Sequence, residues 1–287
     1  MPNPGLPGMP AIVHSQTELD AWRAATPGTV AFIPTMGALH EGHVSLARAA
    51  RDLSDRVVVS IFVNPLQFGA GEDFERYPRT LESDVSALAG VADVVFAPSV
   101  DDVYPPGLEV RRFTAGPVGD TFEGAARPGH FDGMLTVVAR LFDMVKPDVT
   151  IFGQKDAQQV FLVRRLIADH FPNLTFVVAP TIREADGLAM SSRNRYLSPE
   201  ERIHARALGR AMKLATVDPE TSLGQMRAEL ESEPGVVVDY VAAVDPTTFA
   251  PVTTGAELAP SHDVTYIVAA KVGSTRLLDT VDVFSRK

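Results

Sequence analysis

The stretch Thr29-Val-Ala-Phe-Ile-Pro-Thr-Met-Gly-Ala-Leu-His-Glu-Gly-His43 decides the fold, because it joins a strand pattern to a helix pattern. Thr29–Ile33 is apolar after its first residue, which predicts a buried strand, and Pro34 ends it. From His40 to about Asp52 the apolar residues return at helical spacing. They are Val44, Leu46, Ala47 and Ala50. The stretch therefore predicts a strand-to-helix junction.

Outward from this junction, strand and helix patterns alternate as far as Ala179. The other predicted strands are mainly apolar: Arg56–Val63, Val94–Ala97, Val149–Phe152 and Thr175–Ala179. The helices predicted between them lie around Asp84–Ala89 and over Leu135–Val145 and Ala157–His170. Such strands, separated by helices, indicate a parallel sheet covered on both faces. We therefore predict an α/β fold with a Rossmann-type doubly wound parallel sheet, in which ligands bind beyond the carboxyl ends of the strands.

A different pattern follows Thr181. Ser198-Pro-Glu-Glu201 predicts a helix start, with serine as N-cap, proline in the first position and glutamate three residues after the serine. The predicted elements are helices toward Ala215 and around Leu223–Leu230, and antiparallel strands at Val236–Val244, Thr265–Lys271 and Leu277–Val283. We place the domain boundary at Ile182. Residues 1–182 form the Rossmann-type domain, with 1–10 as a loose leader, and residues 183–287 form a smaller α+β domain.

The composition is that of a globular protein and excludes several kinds of site. Of 287 residues, 45% are hydrophobic and 22% are charged. The absence of cysteine excludes disulfides, iron–sulfur clusters, thiolate metal sites and cysteine nucleophiles. Met1–Pro10 contains neither a basic residue nor an apolar run, and no apolar stretch is long enough to span a membrane. We therefore expect a cytoplasmic protein without a signal peptide.

The net charge of −10 limits the partners. A negative chain is a poor general binder of nucleic acid or of an anionic membrane, so we expect neither as a partner. Any anionic ligand must be held by local features, such as helix N-termini and individually placed basic side chains.

Two histidines and two glycines at the first junction favour a phosphate site. Gly37 and Gly42 let the backbone approach a phosphate closely, and His40 and His43 face the same way on a helical turn. At a helix N-terminus they would bind a phosphate chain and stabilise charge on leaving pyrophosphate. Alternatively, one histidine caps the helix and the other lies on the surface. A metal site would need a third ligand.

Polar side chains also follow the second and fourth predicted strands. Asn64 and Gln67 would bind a hydroxyl or a carboxylate without adding charge, although Asn64 also precedes proline and favours a turn. Lys155 would reach a phosphate, Asp156 would cap a helix or hold a ribose, and Gln159 points into the same opening. The alternative for Lys155 and Asp156 is a solvated helix start.

Two hydroxyls and a guanidinium lie at the domain junction, in Met190-Ser-Ser-Arg193. They follow Ala185-Asp-Gly-Leu188, which we expect to be flexible. Such a segment suits a lid over a triphosphate, and an ordinary inter-domain loop is the alternative.

His40-Glu-Gly-His43 matches the His-x-Gly-His signature of the nucleotidyltransferase superfamily, whereas a Gly-x-Gly-x-x-Gly fingerprint and a Walker A loop are absent at this junction. Together with the later segments, the chain from Thr29 onward closely resembles the pantothenate synthetase (pantoate–β-alanine ligase) family. The motifs that carry this resemblance are Pro34–His43, Ser60–Gly69, Tyr77–Arg79, Gly129–Gly133, Gly153–Gln159 and Arg183–Tyr196.

The resemblance implies a reaction. Members of the family join D-pantoate to β-alanine with ATP and magnesium, through a pantoyl adenylate, and release AMP and pyrophosphate. It also implies a homodimer.

The resemblance further implies roles for matching residues. His43 would be the proton donor, and His40, Lys155, Ser191, Ser192 and Arg193 would act with it on the phosphates. ATP would be lined by Met36, Gly37, Ala38, Leu39, His40, Glu41, Gly42, His43, Gly153, Gln154, Lys155, Asp156, Ile182, Met190, Ser191, Ser192 and Arg193. The substrate-binding residues would be Gln67, Gln159 and Asn64, with Tyr77, Arg127 and His130 as outer members of the pocket. Asp84 is the candidate protein ligand of magnesium.

Two positions depart from the family pattern. Gln154 stands where glutamate is expected, and Ala157 stands where an aromatic residue is frequent. The first loses a negative charge beside Lys155. We therefore expect altered ATP affinity and retained activity.

Two other functions remain open. A nucleotidyltransferase whose nucleotidylated compound is the product would need Lys or Arg for a phosphorylated acceptor, where this chain has the amides of Gln67 and Gln159. A nucleotide-binding regulator without catalysis would have lost His43, Lys155 or Arg193, and all three are present.

Overall fold

The computed structural model describes residues 8–69, 74–216, 218–252 and 263–284. The chain divides into two compact units. The first comprises Met1–Gly153 and Leu162–Ala179, and the second comprises Gln154–Phe161 and Pro180–Lys287. This division follows Ala179 and also assigns residues 154–161 to the second unit. The boundary at Ile182, with domains of 1–182 and 183–287, stays a prediction.

The first unit contains a six-stranded parallel sheet. Its strands are β1 (Ala11–Val13), β2 (Val30–Thr35), β3 (Arg56–Ile61), β4 (Val94–Phe96), β5 (Val149–Gly153) and β6 (Thr175–Ala179). They are ordered β1-β4-β3-β2-β5-β6, and every neighbouring pair is parallel. The predicted Rossmann-type sheet is confirmed.

The strand order reverses beside β2. The chain passes from β2 to β3 and β4 on one side, and returns to β5 and β6 on the other, with Ala31 opposite Val149 and Phe32 opposite Thr150. In open α/β sheets, ligands bind at the carboxyl ends of the strands where this reversal leaves a crevice. Here that position lies beyond Thr35 and Gly153.

Helices lie between these strands in the sequence. They are α1 (Gln16–Ala25), α2 (Glu41–Arg51), α3 (Leu81–Ala87), α4 (Val100–Val103), α5 (Glu123–Ala126), α6 (His130–Val145) and α7 (Ala157–His170). The predicted apolar face of α2 is buried, and its Leu46, Ala47 and Ala50 pack with Ile33 and Val59 of the sheet. This packing fixes the start of α2 against the end of β2. Within the described ranges, no helix is long and apolar enough to cross a membrane.

Several elements in this unit differ from the sequence predictions. Pro34 does not end β2, which runs on to Thr35, because Pro34 lies in register opposite Ser60 of β3. The first strand and helix, β1 and α1, were not predicted, because β1 has three residues and only Leu19 of α1 is buried. The third strand ends at Ile61 and not at Val63, because Asn64 caps a 3-10 helix at Pro65–Gln67. The helix predicted from Leu135 begins five residues earlier, at His130.

The second unit has a three-stranded antiparallel sheet with β8 (Val264–Val272) between β7 (Val236–Val244) and β9 (Thr275–Val283). The helices α8 (Pro199–Met212) and α9 (Pro219–Glu231) pack on it around Tyr266. The predicted capping box is present: the Ser198 hydroxyl accepts the Glu201 N–H at 3.2 Å, and the Glu201 carboxylate accepts the Ser198 N–H at 2.8 Å. The predicted α+β arrangement is confirmed, although α8 ends before Ala215 and α9 is longer than predicted.

Candidate active site

A buried carboxylate holds the loop after β2 in a sharp turn. Gly37 and Ala38 have φ angles of +83° and +51°, in the left-handed region. Asp84 of α3, 2% exposed, accepts the N–H groups of Ala38 and Leu39 at 2.9 and 2.8 Å. The left-handed conformation costs about 1–2 kcal/mol for a residue with a Cβ, and hydrogen bonds to a carboxylate offset it. The loop is therefore preorganised at the carboxyl end of β2.

The candidate magnesium ligand Asp84 thus has a structural role. Both of its carboxylate oxygens also accept the Thr80 hydroxyl, at 3.2 Å. Across the described ranges, no group of three histidine or acidic side chains is placed to hold a metal ion. Magnesium coordination by Asp84 stays a prediction.

His40 and His43 lie side by side at the start of α2. The His40 Nδ1 atom accepts the Gly42 N–H at 3.1 Å, and the His43 Nδ1 atom accepts the His40 N–H at 3.4 Å. Their ring centroids are 4.1 Å apart. Because a backbone N–H can only donate, both Nδ1 atoms are acceptors, and each neutral ring carries its proton on Nε2. Two imidazole N–H donors at the positive end of a helix suit a phosphate chain.

Gln67 is the last residue of the 3-10 helix that follows β3, and it contacts the loop after β2. Its side chain is buried, with Nε2 2.8 Å from the Met36 Sδ atom. Its backbone carbonyl accepts hydrogen bonds from His130 Nδ1 at 2.9 Å and from Arg127 Nη2 at 3.3 Å. Two of the three residues that the resemblance places at the edge of the pocket, Arg127 and His130, therefore fix the Gln67 backbone.

Asn64 is fully buried, and its side-chain amide is bonded within the protein. Its Nδ2 atom donates to the Gly133 carbonyl at 3.0 Å and to Gln67 Oε1 at 3.2 Å. Its Oδ1 atom accepts the Leu66 N–H at 3.2 Å and the Tyr104 hydroxyl at 2.9 Å. Burial raises the pKa of Tyr104, so its hydroxyl keeps the proton that it donates. A direct contact between Asn64 and a substrate stays a prediction.

Gly133 lets α6 approach the Gln67 segment closely. A Cβ atom built on Gly133 would overlap the Leu66 carbonyl and stand 2.7 Å from the Gln67 backbone nitrogen. Any larger residue would displace the segment that positions Gln67.

The remaining predicted site residues, from Gln154 onward, belong to the second unit. The Lys155 ammonium lies 3.7 Å from the Asp156 carboxylate, directly before α7. The Lys155 backbone carbonyl accepts the Thr280 hydroxyl of β9 at 2.8 Å. Gln159 lies on the first turn of α7 and is partly buried. Strand β9 therefore fixes the backbone that carries Lys155.

A buried ion pair fixes the segment before Met190. Arg183 donates two hydrogen bonds to the Asp279 carboxylate, at 2.6 and 2.9 Å, and Asp279 is 1% exposed. Burial raises the pKa of Asp279, while the Arg183 charge opposes that shift. Arg183 also forms a bridge with Ala189, and the Met190 N–H donates to the Ile182 carbonyl at 2.9 Å.

The segment Met190–Arg193 leads into a 3-10 helix at Ser192–Tyr196. The Ser191 hydroxyl caps it by accepting the Arg193 N–H at 3.3 Å. Residues 185–188, predicted to be flexible, form a turn with Glu184. It is closed by hydrogen bonds from the Glu184 N–H to the Leu188 carbonyl and from the Gly187 N–H to the Glu184 carbonyl, each 2.8 Å. Arg202 of α8 donates hydrogen bonds to the Glu184 carboxylate, and these bonds hold the turn against α8. They also lower the pKa of Glu184.

Sequence reasoning missed three residues of these arrangements: Tyr104, Asp279 and Thr280. Each acts on a distant part of the chain, through Asn64, Arg183 and Lys155 respectively. No spacing pattern in one sequence reports such pairs.

Comparison with known proteins supports the likeness that the motifs carry. Residues 11–282 match the family model described as pantoate-beta-alanine ligase. The pantothenate synthetase of Acidothermus cellulolyticus is 50% identical over 278 residues, covering 95% of this chain and 91% of the relative. That of Leifsonia xyli subsp. xyli is 54% identical over 261 residues, covering 89% of each.

Solved structures agree with these sequence relatives. The crystal structure of pantothenate synthetase from Thermus thermophilus superposes with a TM-score of 0.85 at 43% identity, covering 94% of this chain and 98% of that one. The Francisella tularensis ligase, complexed with beta-gamma ATP and β-alanine, gives a TM-score of 0.76 at 33% identity, covering 94% and 96%. With a family model that spans nearly its whole length, the chain belongs to the pantoate–β-alanine ligase family.

Proposed function

We propose that this chain joins pantoate to β-alanine, using ATP and releasing AMP and pyrophosphate. The observation that carries the proposal is the 2.8 Å contact between Gln67 Nε2 and Met36 Sδ. It places an uncharged amide, suited to a carboxylate or hydroxyl, against the loop that leads to the two histidines. The Francisella ligase, complexed with beta-gamma ATP and β-alanine, supports this assignment.

In the first step, a carboxylate oxygen of pantoate attacks the α-phosphorus of ATP. The bond from that phosphorus to the pyrophosphate oxygen breaks, and pantoyl adenylate forms. Negative charge collects on the leaving pyrophosphate, where the His40 and His43 Nε2–H donors would stabilise it at the start of α2. His43 is the residue that we assign as proton donor.

In the second step, the β-alanine amine attacks the acyl carbon of the adenylate. The bond from that carbon to the AMP oxygen breaks, and the amine nitrogen loses a proton. A free carboxylate does not react with an amine, whereas the mixed anhydride is activated. Gln67 would orient pantoate and then β-alanine, and good orientation of two reactants is worth about 7–11 kcal/mol.

The second unit would supply cations and hydroxyls for the phosphates. We assign this role to Lys155, Ser191, Ser192 and Arg193, with Gln159 as a further contact for pantoate. The attachment of Lys155 to β9 and the buried Arg183–Asp279 pair support the assignment, because both fix the backbone that carries these groups. We also propose that this unit acts as a lid.

Three further properties belong to the proposal. Magnesium would accompany ATP and be held mainly by phosphate oxygens, because Mg²⁺ commonly binds substrate phosphates with few protein ligands. The chain would act as a homodimer. It would work in the cytoplasm.

Pyrophosphate–ATP isotope exchange, with pantoate present and β-alanine absent, tests the reaction class. Exchange that needs both pantoate and magnesium would support a reversible pantoyl adenylate. Adding β-alanine should then yield pantothenate and AMP, whereas a nucleotidyltransferase would leave the nucleotidylated compound as its final product. Folded protein that binds ATP but gives no exchange would contradict the proposal.

Replacing Gln67 by alanine should mainly weaken the binding of pantoate. Removing one partner of a buried polar contact costs about 1–3 kcal/mol, so kcat/KM for pantoate should fall by about 5- to 150-fold. Steady-state kinetics with each substrate varied in turn would measure this. A loss confined to ATP would show that Gln67 has been misplaced.

Replacing Gln154 by glutamate should lower the affinity for ATP by at most about 5-fold. Lys155 already has a carboxylate 3.7 Å away, on Asp156, so a second one adds repulsion toward phosphates more than a needed counter-charge. Exposed charge pairs contribute about 0.2–1 kcal/mol. Titration with ATP would measure the change, with Gln154→Ala as the uncharged control. An inactive parent protein rescued by glutamate would contradict this.

A further inference from the structure

We propose that Tyr104 is a positioning residue for pantoate, which acts through Asn64 to fix the direction of the Gln67 amide. Tyr104 follows α4 and lies 40 residues from Asn64 in sequence, outside every motif of the family resemblance. The inference rests on the proposed function, because it specifies how the Gln67 side chain recognises its ligand.

The orientation of the Asn64 amide follows from two backbone groups. The Leu66 N–H, which can only donate, faces Oδ1 at 3.2 Å. The Gly133 carbonyl, which can only accept, faces Nδ2 at 3.0 Å. A rotated amide would place donor against donor and acceptor against acceptor at these two contacts. The oxygen and nitrogen of Asn64 are therefore assigned by chemistry.

The orientation of Gln67 follows from that of Asn64. The second Nδ2 proton of Asn64 needs an acceptor, and the Gln67 side chain presents Oε1 at 3.2 Å. The Gln67 Nε2 group then points to the opposite side, where it lies 2.8 Å from Met36 Sδ. Because sulfur is a weak acceptor, an oxygen of a ligand is the better partner for this N–H group. Gln67 is thus set to donate to a carboxylate or hydroxyl oxygen.

Tyr104 completes the arrangement at the remaining acceptor position of Asn64. Its hydroxyl donates to Oδ1 at 2.9 Å, and its ring packs edge-on against Phe62 at 6.2 Å. The adjacent Val103 carbonyl accepts a hydrogen bond from Arg140 of α6 at 2.9 Å. The tyrosine is thereby anchored to the same helix that supplies the Gly133 carbonyl. Without the hydroxyl, the Asn64 oxygen keeps one donor, and the Asn64 and Gln67 amides are held less firmly.

The test compares Tyr104→Phe with Tyr266→Phe. Both changes remove one tyrosine hydroxyl that donates within the protein, but the Tyr266 hydroxyl donates to the Thr216 carbonyl in the second unit. Calorimetry would measure the dissociation constant of pantoate in the presence of a non-hydrolysable ATP analogue, and that of the analogue alone. We expect Tyr104→Phe to raise the dissociation constant of pantoate by about 3- to 10-fold, which is the effect of one neutral hydrogen bond. The dissociation constant of the analogue should not change. Tyr266→Phe should change neither constant.

A double-mutant cycle distinguishes action through Gln67 from a general loss of structure. In a Gln67→Ala background, Tyr104→Phe should change kcat/KM for pantoate by less than about 2-fold, because coupled residues are not additive. Unchanged pantoate binding in Tyr104→Phe, or the full effect persisting without Gln67, would overturn the inference while the proposed function stands. Wild-type protein that binds the ATP analogue but not pantoate would overturn both.

Discussion

Replacing His43 by alanine is expected to lower the rate of pantoate-dependent pyrophosphate–ATP exchange by about 10²- to 10⁴-fold. That is the range for removing a positioned acid or base, and the loss of an N–H donor at a leaving group falls within it. The Nδ1 atom of His43 accepts the His40 N–H, so Nε2 is the atom that carries the proton in the neutral ring. The alanine variant therefore lacks the proton donor that Nε2 provides.

A second substitution separates this loss from the capping role of His43. Asparagine can keep a side-chain acceptor near the position of Nδ1, but it has no group near Nε2. We expect His43→Asn to be as inactive as His43→Ala and to unfold closer to the wild-type temperature. His14 is an exposed histidine directly after β1, and His14→Ala is the control, in which we expect normal exchange. Near-normal exchange in His43→Asn would remove His43 from the mechanism.

Replacing Gly133 by alanine is expected to destabilise the protein by about 3 kcal/mol, at the upper end of effects of overpacking. The added Cβ meets backbone atoms of Leu66 and Gln67, which cannot move aside by changing rotamer. The melting temperature should fall by roughly 6–12 °C. Since the displaced backbone carries Gln67, the folded fraction should also bind pantoate more weakly.

The control is Gly224→Ala in α9. Its added Cβ meets no atom within 4 Å, and the glycine lies inside a helix, as Gly133 does. There alanine should stabilise the protein by about 0.5–1 kcal/mol, because it restricts the unfolded chain and favours the helix. Thermal unfolding of both variants would measure the contrast. Equal effects would show that the close approach at Gly133 is relaxed at little cost.

The fold was largely predictable because most of its strands are recognisable in the sequence as short apolar runs. The apolar runs of β2, β3 and β5 mark strands that are mostly buried, and the helical spacing of α2 and α7 places these helices between strands. Strand β1 gave no such signal, since three residues at the sheet edge are too few to show a period. The start of α6 was missed because Gly133 weakens the helical pattern in its first turn, where a tertiary contact requires it.

The positions of the candidate site residues could be predicted where these residues lie in short motifs. His40, His43 and Gln67 were predicted to follow strands, and the Gln67 side chain contacts Met36 in the segment that leads to the two histidines. The hydrogen bonds of Asn64 to other protein groups were not predicted, and neither was the hydrogen bond from the Ala38 N–H to the Asp84 carboxylate. Both depend on which atoms a buried group meets, and periodicity carries no information about that.

The discontinuous second unit has a consequence for how this family can be rearranged. Its residues 154–161 come from the middle of the chain, and Lys155 and Phe161 in that segment contact Thr280 and Phe249. A gene fragment beginning after Ala179 would encode both helices and the whole antiparallel sheet, yet leave these two partners behind. Recombination at that point would pair each C-terminal half with a foreign middle segment. Any middle segment would supply a backbone carbonyl for Thr280, but not the Phe161 ring that Phe249 contacts, so positions 161 and 249 are expected to diverge together.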